Sequence, residues 1–331
     1  MQPNVRIKTI ETYHPDKIVD NSYYIEHFNK QGKDVRGFLE FMGKKERRII
    51  DNDVKIETGL SMAIESTKRA LSSVDMTMKD IDMVFFTTQV PEYSIPSNAM
   101  MIHEALNGKS NTRVMDLNAS CAGMTVAVEQ ASLYMKAQPH IKNAIVIGSE
   151  QLSILSNPEE EISYAMLADA ACTVILERTE EKTGFIDAEY YTYSANTDKI
   201  LYPVEGMSSV LKGQGDGRYL RFLPFDSTFG QPITDRMIED LLKRNNMKIK
   251  DIGAFCFSQL AYSDSTRLRD RFDIDMEKIL YIGDKYGYTG TTSPFISLHD
   301  GIKSGKVKRG DVILFWTVGA GHQFIAMLYR Y

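Results

Sequence analysis

At 331 residues the chain is longer than one ordinary hydrophobic core, so two domains or one large duplicated domain are expected. Hydrophobic content of 43% beside 25% charged residues is that of a globular protein in water, and a net charge of −5 gives no electrostatic basis for binding nucleic acid or an anionic membrane. Three cysteines in apolar surroundings, Cys121, Cys172 and Cys256, exclude a disulfide framework and a zinc or other metal site, which points to a reducing, cytoplasmic setting.

In chain order, Met1-Gln-Pro-Asn-Val-Arg-Ile-Lys8 holds no apolar run of the signal-peptide kind. Val5–Ile10 reads as a strand, and residues 21–42 as a helix polar on one face. Lys44-Lys-Glu-Arg-Arg48 reads as a solvated or loop-stabilising charge run. Thr58–Ser73 has apolar residues at helical spacing. Ile81–Thr88 is a buried strand and Pro91–Pro96 a loop, followed by a helix over Ser97–Leu106 with Ser97 as its N-cap. Asn143–Ser149 is a second buried strand, apolar enough to suggest a partner surface. Tyr164–Leu176 is a turn feeding a strand. The most apolar stretch, Val312–Tyr329, is interrupted by Gly319-Ala-Gly-His-Gln323, so it reads as two buried strands around a tight turn rather than a membrane span.

One stretch looks built for chemistry. Thr112–Leu117 reads as a strand, and residues from Ala122 to about Lys136 are small and apolar nearly all round, as in a buried helix. Cys121 lies where the strand would turn into the helix. The first-turn N–H groups and the positive end of the helix dipole favour a thiolate there. Ala119, Ser120, Ala122 and Gly123 leave room for a substrate to approach the sulfur. The alternative is a buried structural cysteine.

The second half repeats the first. Asp80-Ile-Asp-Met-Val-Phe-Phe-Thr87 matches Asp251-Ile-Gly-Ala-Phe-Cys-Phe-Ser258, 171 residues apart, and Ala144-Ile-Val-Ile-Gly148 resembles Val312-Ile-Leu-Phe-Trp316 in the same order. Two β-α-β-α-β copies ending in hairpins make a layered α/β fold, with halves at 1–178 and 179–331. Residues 194–230, rich in Gly and polar side chains, break the pattern and read as an insertion over the site, a lid or tunnel wall.

Lys45-Glu-Arg-Arg-Ile49, Pro91-Glu-Tyr-Ser-Ile-Pro-Ser97, Asn118-Ala-Ser-Cys-Ala-Gly123, Leu167-Ala-Asp-Ala-Ala171 and Gly319-Ala-Gly321 occur in an order and spacing that resembles the β-ketoacyl-acyl carrier protein synthase III family of the thiolase superfamily. The resemblance covers almost the whole chain. It implies a duplicated, five-layered αβαβα fold, a homodimer, and an acyl group taken from a CoA or carrier-protein thioester onto Cys121. No cofactor is implied beyond the substrate's own phosphopantetheine. It further implies an oxyanion hole from the N–H groups of Cys121 and Ala320, with Gly319 and Gly321 lining the substrate. Tyr93 and Ile95 would sit on a loop reaching the partner's acyl pocket, and Asp169 would order a turn behind the site.

The departures are equally specific. The family places a His where this chain has Ser258, followed by Gln259, and an Asn where Gly287-Tyr288-Thr289 stands. In the family that His and Asn hold the malonyl thioester carbonyl as it gains charge. Ser258 and Tyr288 each offer one neutral hydrogen bond, and Tyr288 is bulkier. His322, directly after Gly321, is a candidate replacement base, with packing inside the hairpin as the alternative. Two functions follow: a specialised acyltransferase using Cys121, or a non-catalytic subunit supporting a homologue in a heterodimer. The intact Cys121 favours the first.

Overall fold

The computed structural model describes residues 4–331 other than 52, 55, 56 and 216. The reading of Met1–Pro3 and of Asp216 within the insertion lies outside the described residues. The first half runs β1 (Asn4–Tyr13), β2 (Lys17–Asp20), α1 (Asn21–Asn29), α2 (Arg36–Phe41), β3 (Glu46–Ile49), α3 (Gly59–Ser72), β4 (Met83–Thr87), α4 (Asn98–Ala105), β5 (Arg113–Leu117), α5 (Gly123–Ala137), β6 (Asn143–Gln151), α6 (Glu161–Met166) and β7 (Asp169–Thr179). The second runs β8 (Gly184–Thr192), β9 (Ile200–Leu201), α7 (Met207–Leu211), β10 (Arg221–Phe222), α8 (Gly230–Arg244), β11 (Ala254–Phe257), α9 (Tyr262–Phe272), α10 (Gly283–Tyr286), α11 (Ser293–Lys303), β12 (Val312–Gly319) and β13 (Gln323–Arg330).

Two sheets carry the molecule. One has the order β1-β7-β6-β4-β5, with β4 parallel to β5 and β6. The other has the order β11-β12-β13-β8, with β11 parallel to β12. The internal repeat is visible in register: the 3-10 turn Met78–Asp80 before β4 recurs as Ile249–Asp251 before β11. Where the first sheet has β5, the second has only a single parallel bridge, Phe255 to Ile279.

Strand alternation sorts side chains into layers. Met83 and Phe85 of β4, and Ala254 and Cys256 of β11, face inward onto α5 and α11, which share one core with both sheets. Val84 and Phe86 face outward onto α3 and α4, whereas Phe255 and Phe257 face outward onto α8 and α9. The result is the five-layered αβαβα arrangement expected from the sequence. No helix among the described residues is long and apolar enough to cross a membrane.

Three expectations need correction. The helix expected over 21–42 is two short helices, α1 and α2, separated by a turn with Gly32 at φ +76°. The apolar run of β6 needs no partner molecule, because β6 is buried between β4 and β7 in its own sheet. The basic cluster is solvated only in part: Lys45 is exposed, whereas Lys44 and Arg47 are 2% and 0% exposed and stabilise the loops around them. Lys44 Nζ donates to the Gln259 carbonyl at 2.6 Å and to the Tyr281 hydroxyl at 3.2 Å. Arg47 Nε donates to the Ala165 carbonyl at 2.6 Å, and its guanidinium lies 4.6 Å from the centre of the Tyr24 ring. Burying such charges costs several kcal/mol unless their hydrogen bonds are met. Burial accordingly pushes Lys44 down to about 7 and Arg47 down to about 10.

Candidate active site

The nucleophile turn is built by local chemistry. β5 ends at Leu117, and the Asn118 side-chain oxygen accepts from the Ser120 N–H at 2.9 Å, closing an Asx turn. Ser120 takes the left-handed conformation at φ +50°, the 3-10 turn Ser120–Ala122 follows, and α5 begins at Gly123. Cys121 thus lies at the strand-to-helix junction, as expected. At Gly123 a Cβ would sit 2.6 Å from Thr87 Oγ1 and 2.9 Å from Thr291 Oγ1, so only glycine lets the helix start press against both threonines. Thr291, from the second half, accepts from the Met124 N–H at 2.6 Å and so occupies a first-turn donor of α5.

The sulfur of Cys121 is enclosed. Leu152, Leu167 and Tyr288 form a buried cluster, and Cys121, Val90, Leu220 and Leu260 pack against it. Leu220 belongs to the 194–230 insertion, which therefore covers the site while much of its length is exposed. Tyr288 is buried in the cluster against which Cys121 packs, near enough for its hydroxyl to oppose the rise of the thiol, and Ser258 acts on Tyr288 in turn. The Cys121 thiol donates to Gln89 Oε1 at 3.6 Å. Burial pushes the thiol up to about 11, with Tyr288 opposing and the Glu150 carboxylate adding to the rise. Burial therefore opposes the thiolate that the helix end would favour.

Glu150 was not singled out in the sequence, nor was Gln89. Glu150 is fully buried at the end of β6, and accepts from the Gln89 N–H and Gln89 Nε2 at 3.0 Å each. It also accepts from the Thr291 N–H at 3.3 Å and Thr88 Oγ1 at 3.4 Å. Burial pushes its carboxyl up to about 7 despite these bonds. A charged residue closing an otherwise apolar strand was the signal available in the sequence. Its partner, just past the end of the parallel neighbour β4, could be paired with it only through the strand order.

Tyr288 is held by its backbone. Its N–H donates to the Met166 carbonyl at 2.9 Å and its carbonyl accepts from the Ala168 N–H at 2.9 Å. The turn before it needs Gly287, at φ +75°, where a Cβ would lie 2.8 Å from both Ala168 Cβ and Arg47 Cγ. Buried Arg47 is thus a floor under the Tyr288 turn. Ser258 follows β11, and its N–H donates to the Trp316 carbonyl of β12 at 2.8 Å.

The glycine-rich turn after β12 leans on the nucleophile. A Cβ at Gly319 would fall 2.6 Å from the Ala119 carbonyl oxygen. Among the described residues neither the Cys121 nor the Ala320 N–H donates to a backbone carbonyl, which leaves both able to receive an oxyanion. Gly321, at φ +79°, completes the reversal into β13. His322 is buried among Phe225, Phe229 and Phe324, with ring centroids 4.8, 5.0 and 6.3 Å away, and its Nδ1 has no hydrogen-bond partner. Burial lowers its pKa. Tyr93 and Ile95 are 45% and 89% exposed, on a loop anchored by Asn98 and Asp116 at the foot of α4. Asp169 accepts from the Ile50 N–H at 2.8 Å and from Ser153 N–H and Oγ at 2.9 and 2.6 Å, ordering the turn behind the site.

Every one of these groups follows the carboxyl end of a parallel strand or a turn packed against one, the usual location of sites in such sheets. Comparisons with known proteins agree. Residues 115–194 match the family model described as 3-oxoacyl-[acyl-carrier-protein (ACP)] synthase III, and residues 242–331 match the model of its C-terminal part; together they cover more than half of the chain. The β-ketoacyl-[acyl-carrier-protein] synthase III of Aquifex aeolicus is 29% identical over 289 residues, covering 87% of this chain and 88% of the relative. That of Clostridium perfringens is 27% identical over 333 residues, covering 99% of each. The crystal structure of the Aquifex aeolicus enzyme superposes with a TM-score of 0.85 at 24% identity, covering 99% of this chain and 100% of that one. The Thermus thermophilus structure gives 0.86 at 18% identity, covering 98% of each. With a cysteine at the strand-to-helix junction of a duplicated αβαβα fold and both family models matched in order, the chain belongs to the 3-oxoacyl-[acyl-carrier-protein] synthase III family.

Proposed function

We propose that the protein is an acyltransferase working in the cytoplasm. It loads an acyl group from a CoA or carrier-protein thioester onto Cys121 and passes it to a second acceptor, with little or no decarboxylating condensation. The observation that carries this reading is the place of Tyr288, buried in the cluster against which Cys121 packs, where the family has an Asn. In the loading step the sulfur attacks the thioester carbonyl carbon as the thiol gives up its proton, the carbonyl oxygen takes the charge, and the bond to the pantetheine sulfur then breaks, that sulfur leaving with the proton. The Cys121 and Ala320 N–H groups are the donors for that oxygen. In the second step the family's His and Asn would stabilise a malonyl thioester. Here neutral Ser258 and Tyr288 stand instead. Losing one such donor costs on the order of 100–1000-fold in rate. An amine, hydroxyl or thiol acceptor, or an unusual carbon acceptor, needs no enolate site of that kind.

The test is incubation with acyl-CoAs of graded length, followed by mass spectrometry of the Cys121 peptide and a separate assay with malonyl-carrier protein. Acylated Cys121 with β-ketoacyl product at about one hundredth of an ordinary rate or less is expected. No acylation by any donor would favour the non-catalytic subunit. Efficient β-ketoacyl formation would overturn the loss of decarboxylation.

A further inference from the structure

The pair Gln89–Glu150 has no role in the chemistry above, yet Gln89 is in polar contact with the nucleophile. Its hydrogen-bond pattern leaves one arrangement. Glu150 accepts from both the backbone N–H and the Nε2 of Gln89, at 3.0 Å each, so the amide nitrogen is committed to the carboxylate. The amide oxygen must then face the Cys121 sulfur, 3.6 Å away, as an acceptor. The pair is closely fitted: a Cβ at Gly290 would lie 2.9 Å from Glu150 Oε1 and 3.0 Å from Gln89 Nε2. Thr88 and Thr291 hold the other lone pairs of the carboxylate.

We propose that Glu150 and Gln89 are positioning residues that hold Cys121 as a protonated thiol in the resting enzyme, Glu150 by locking the Gln89 amide with its oxygen toward the sulfur and by its own negative charge. A carbonyl acceptor stabilises S–H and offers a thiolate nothing. Once ionised, above about pH 7, the buried Glu150 carboxylate disfavours a second negative charge. The Tyr288 hydroxyl acts in the opposite sense, as would the Gln89 amide if its nitrogen turned toward the sulfur. The nucleophile is thereby protected from indiscriminate electrophiles until a thioester enters the enclosed site. This inference deepens the acyl-transfer reading, in which Cys121 is the nucleophile, but its test uses no acyl donor, so the two can fail separately.

The experiment measures the rate of Cys121 alkylation by iodoacetamide against pH, resolved by peptide mass spectrometry. In that reaction the S–C bond forms, iodide leaves, and the thiol proton goes to solvent. Buried Cys172 and Cys256 report on the integrity of the fold. Glu150→Gln frees the amide to turn and removes the charge. It is expected to move the inflection down by about one pH unit, giving about tenfold faster alkylation below it. Gln89→Met, which leaves the backbone bonds of Glu150 in place, is expected to shift it in the same direction. Glu150→Asp, which keeps the charge, is expected to retain the high inflection. A wild-type inflection in both Glu150→Gln and Gln89→Met, with Cys172 and Cys256 unlabelled, would overturn the proposal. If Glu150→Gln exposes those two cysteines, Gln89→Met decides alone.

Discussion

Cys121 could be recognised in the sequence because its context is local: a short strand, a run of small residues and the start of a buried helix lie within one stretch. Replacing Cys121 with Ala is expected to abolish covalent loading, whereas Cys172→Ala and Cys256→Ala, both away from the site in the core, are expected to leave it intact; a mass shift on the Cys121→Ala protein would contradict the assignment. Tyr288→Phe removes the hydroxyl that opposes the rise of the thiol and is expected to slow loading by roughly tenfold or more in single-turnover measurements, the usual scale for a bond to a charged group. His322→Ala, which opens an aromatic box, is expected to cost less than Tyr288→Phe. The reverse order would restore His322 as the base. What the sequence could not show was Gln89 and Glu150. Their partnership is a product of β4 lying beside β6, and neither residue is near the other, or near Cys121, along the chain.

At the level of elements, apolar spacing on one buried face located α3, and continuous apolar runs buried on both faces located β4 and β6, because each pattern is set within its own segment. Such patterns fail where tertiary context decides. Lys44 and Arg47 have a solvated composition, yet they are buried because Gln259, Ala165 and Tyr281 present acceptors from distant elements. Residues 21–42 have helical composition, but Gly32 and the N-cap Asp20 divide and fix them into separate pieces. The β12 turn gives an element-scale prediction. Gly319→Ala puts a methyl 2.6 Å from the Ala119 oxygen, so the nucleophile turn or β12 must shift. Acyl loading is expected to fall on the order of 100-fold, as for loss of an oxyanion donor, while the protein stays folded by circular dichroism. Unchanged loading would separate this turn from the oxyanion hole.

For the molecule as a whole, buried titratable groups shape stability against pH. Glu150 and Asp169 are raised by burial to about 7 and about 6, so the native state binds more protons than the unfolded chain above the ordinary carboxyl values. Their contribution is complete below about pH 4 and is lost as pH rises through 6 and 7. Lys44, lowered by burial to about 7, works in the other direction: the unfolded chain holds the extra proton, and stability recovers as pH rises toward the ordinary lysine value. The urea midpoint is expected to pass through a minimum near pH 7 to 8. Glu150→Gln should flatten the acid side, by about 3 kcal/mol at most, and Lys44→Met should flatten the alkaline side. A monotonic profile would show that other groups dominate. Assembly is a separate prediction: β5 is the edge of its sheet, pairing only with β4 among the described strands, and the 91–96 loop is exposed. A dimer at micromolar concentration is expected in light scattering; a stable monomer would remove any shared acyl pocket.

The two sheets part company between Thr179 and Gly184, with residues 180–182 exposed, but the middle layer belongs to neither. Cys121 comes from before that point, whereas Thr291, Gly319, Ser258 and Tyr288 come from after it. The nucleophile's surroundings are therefore a seam, completed only when the halves close on one another. A chain cut in the 180–182 segment would yield one piece that keeps Cys121 with Gln89 and Glu150, and another that carries Ser258, Tyr288 and the Gly319 turn. The reactivity of that single sulfur would then report the moment at which the pieces meet.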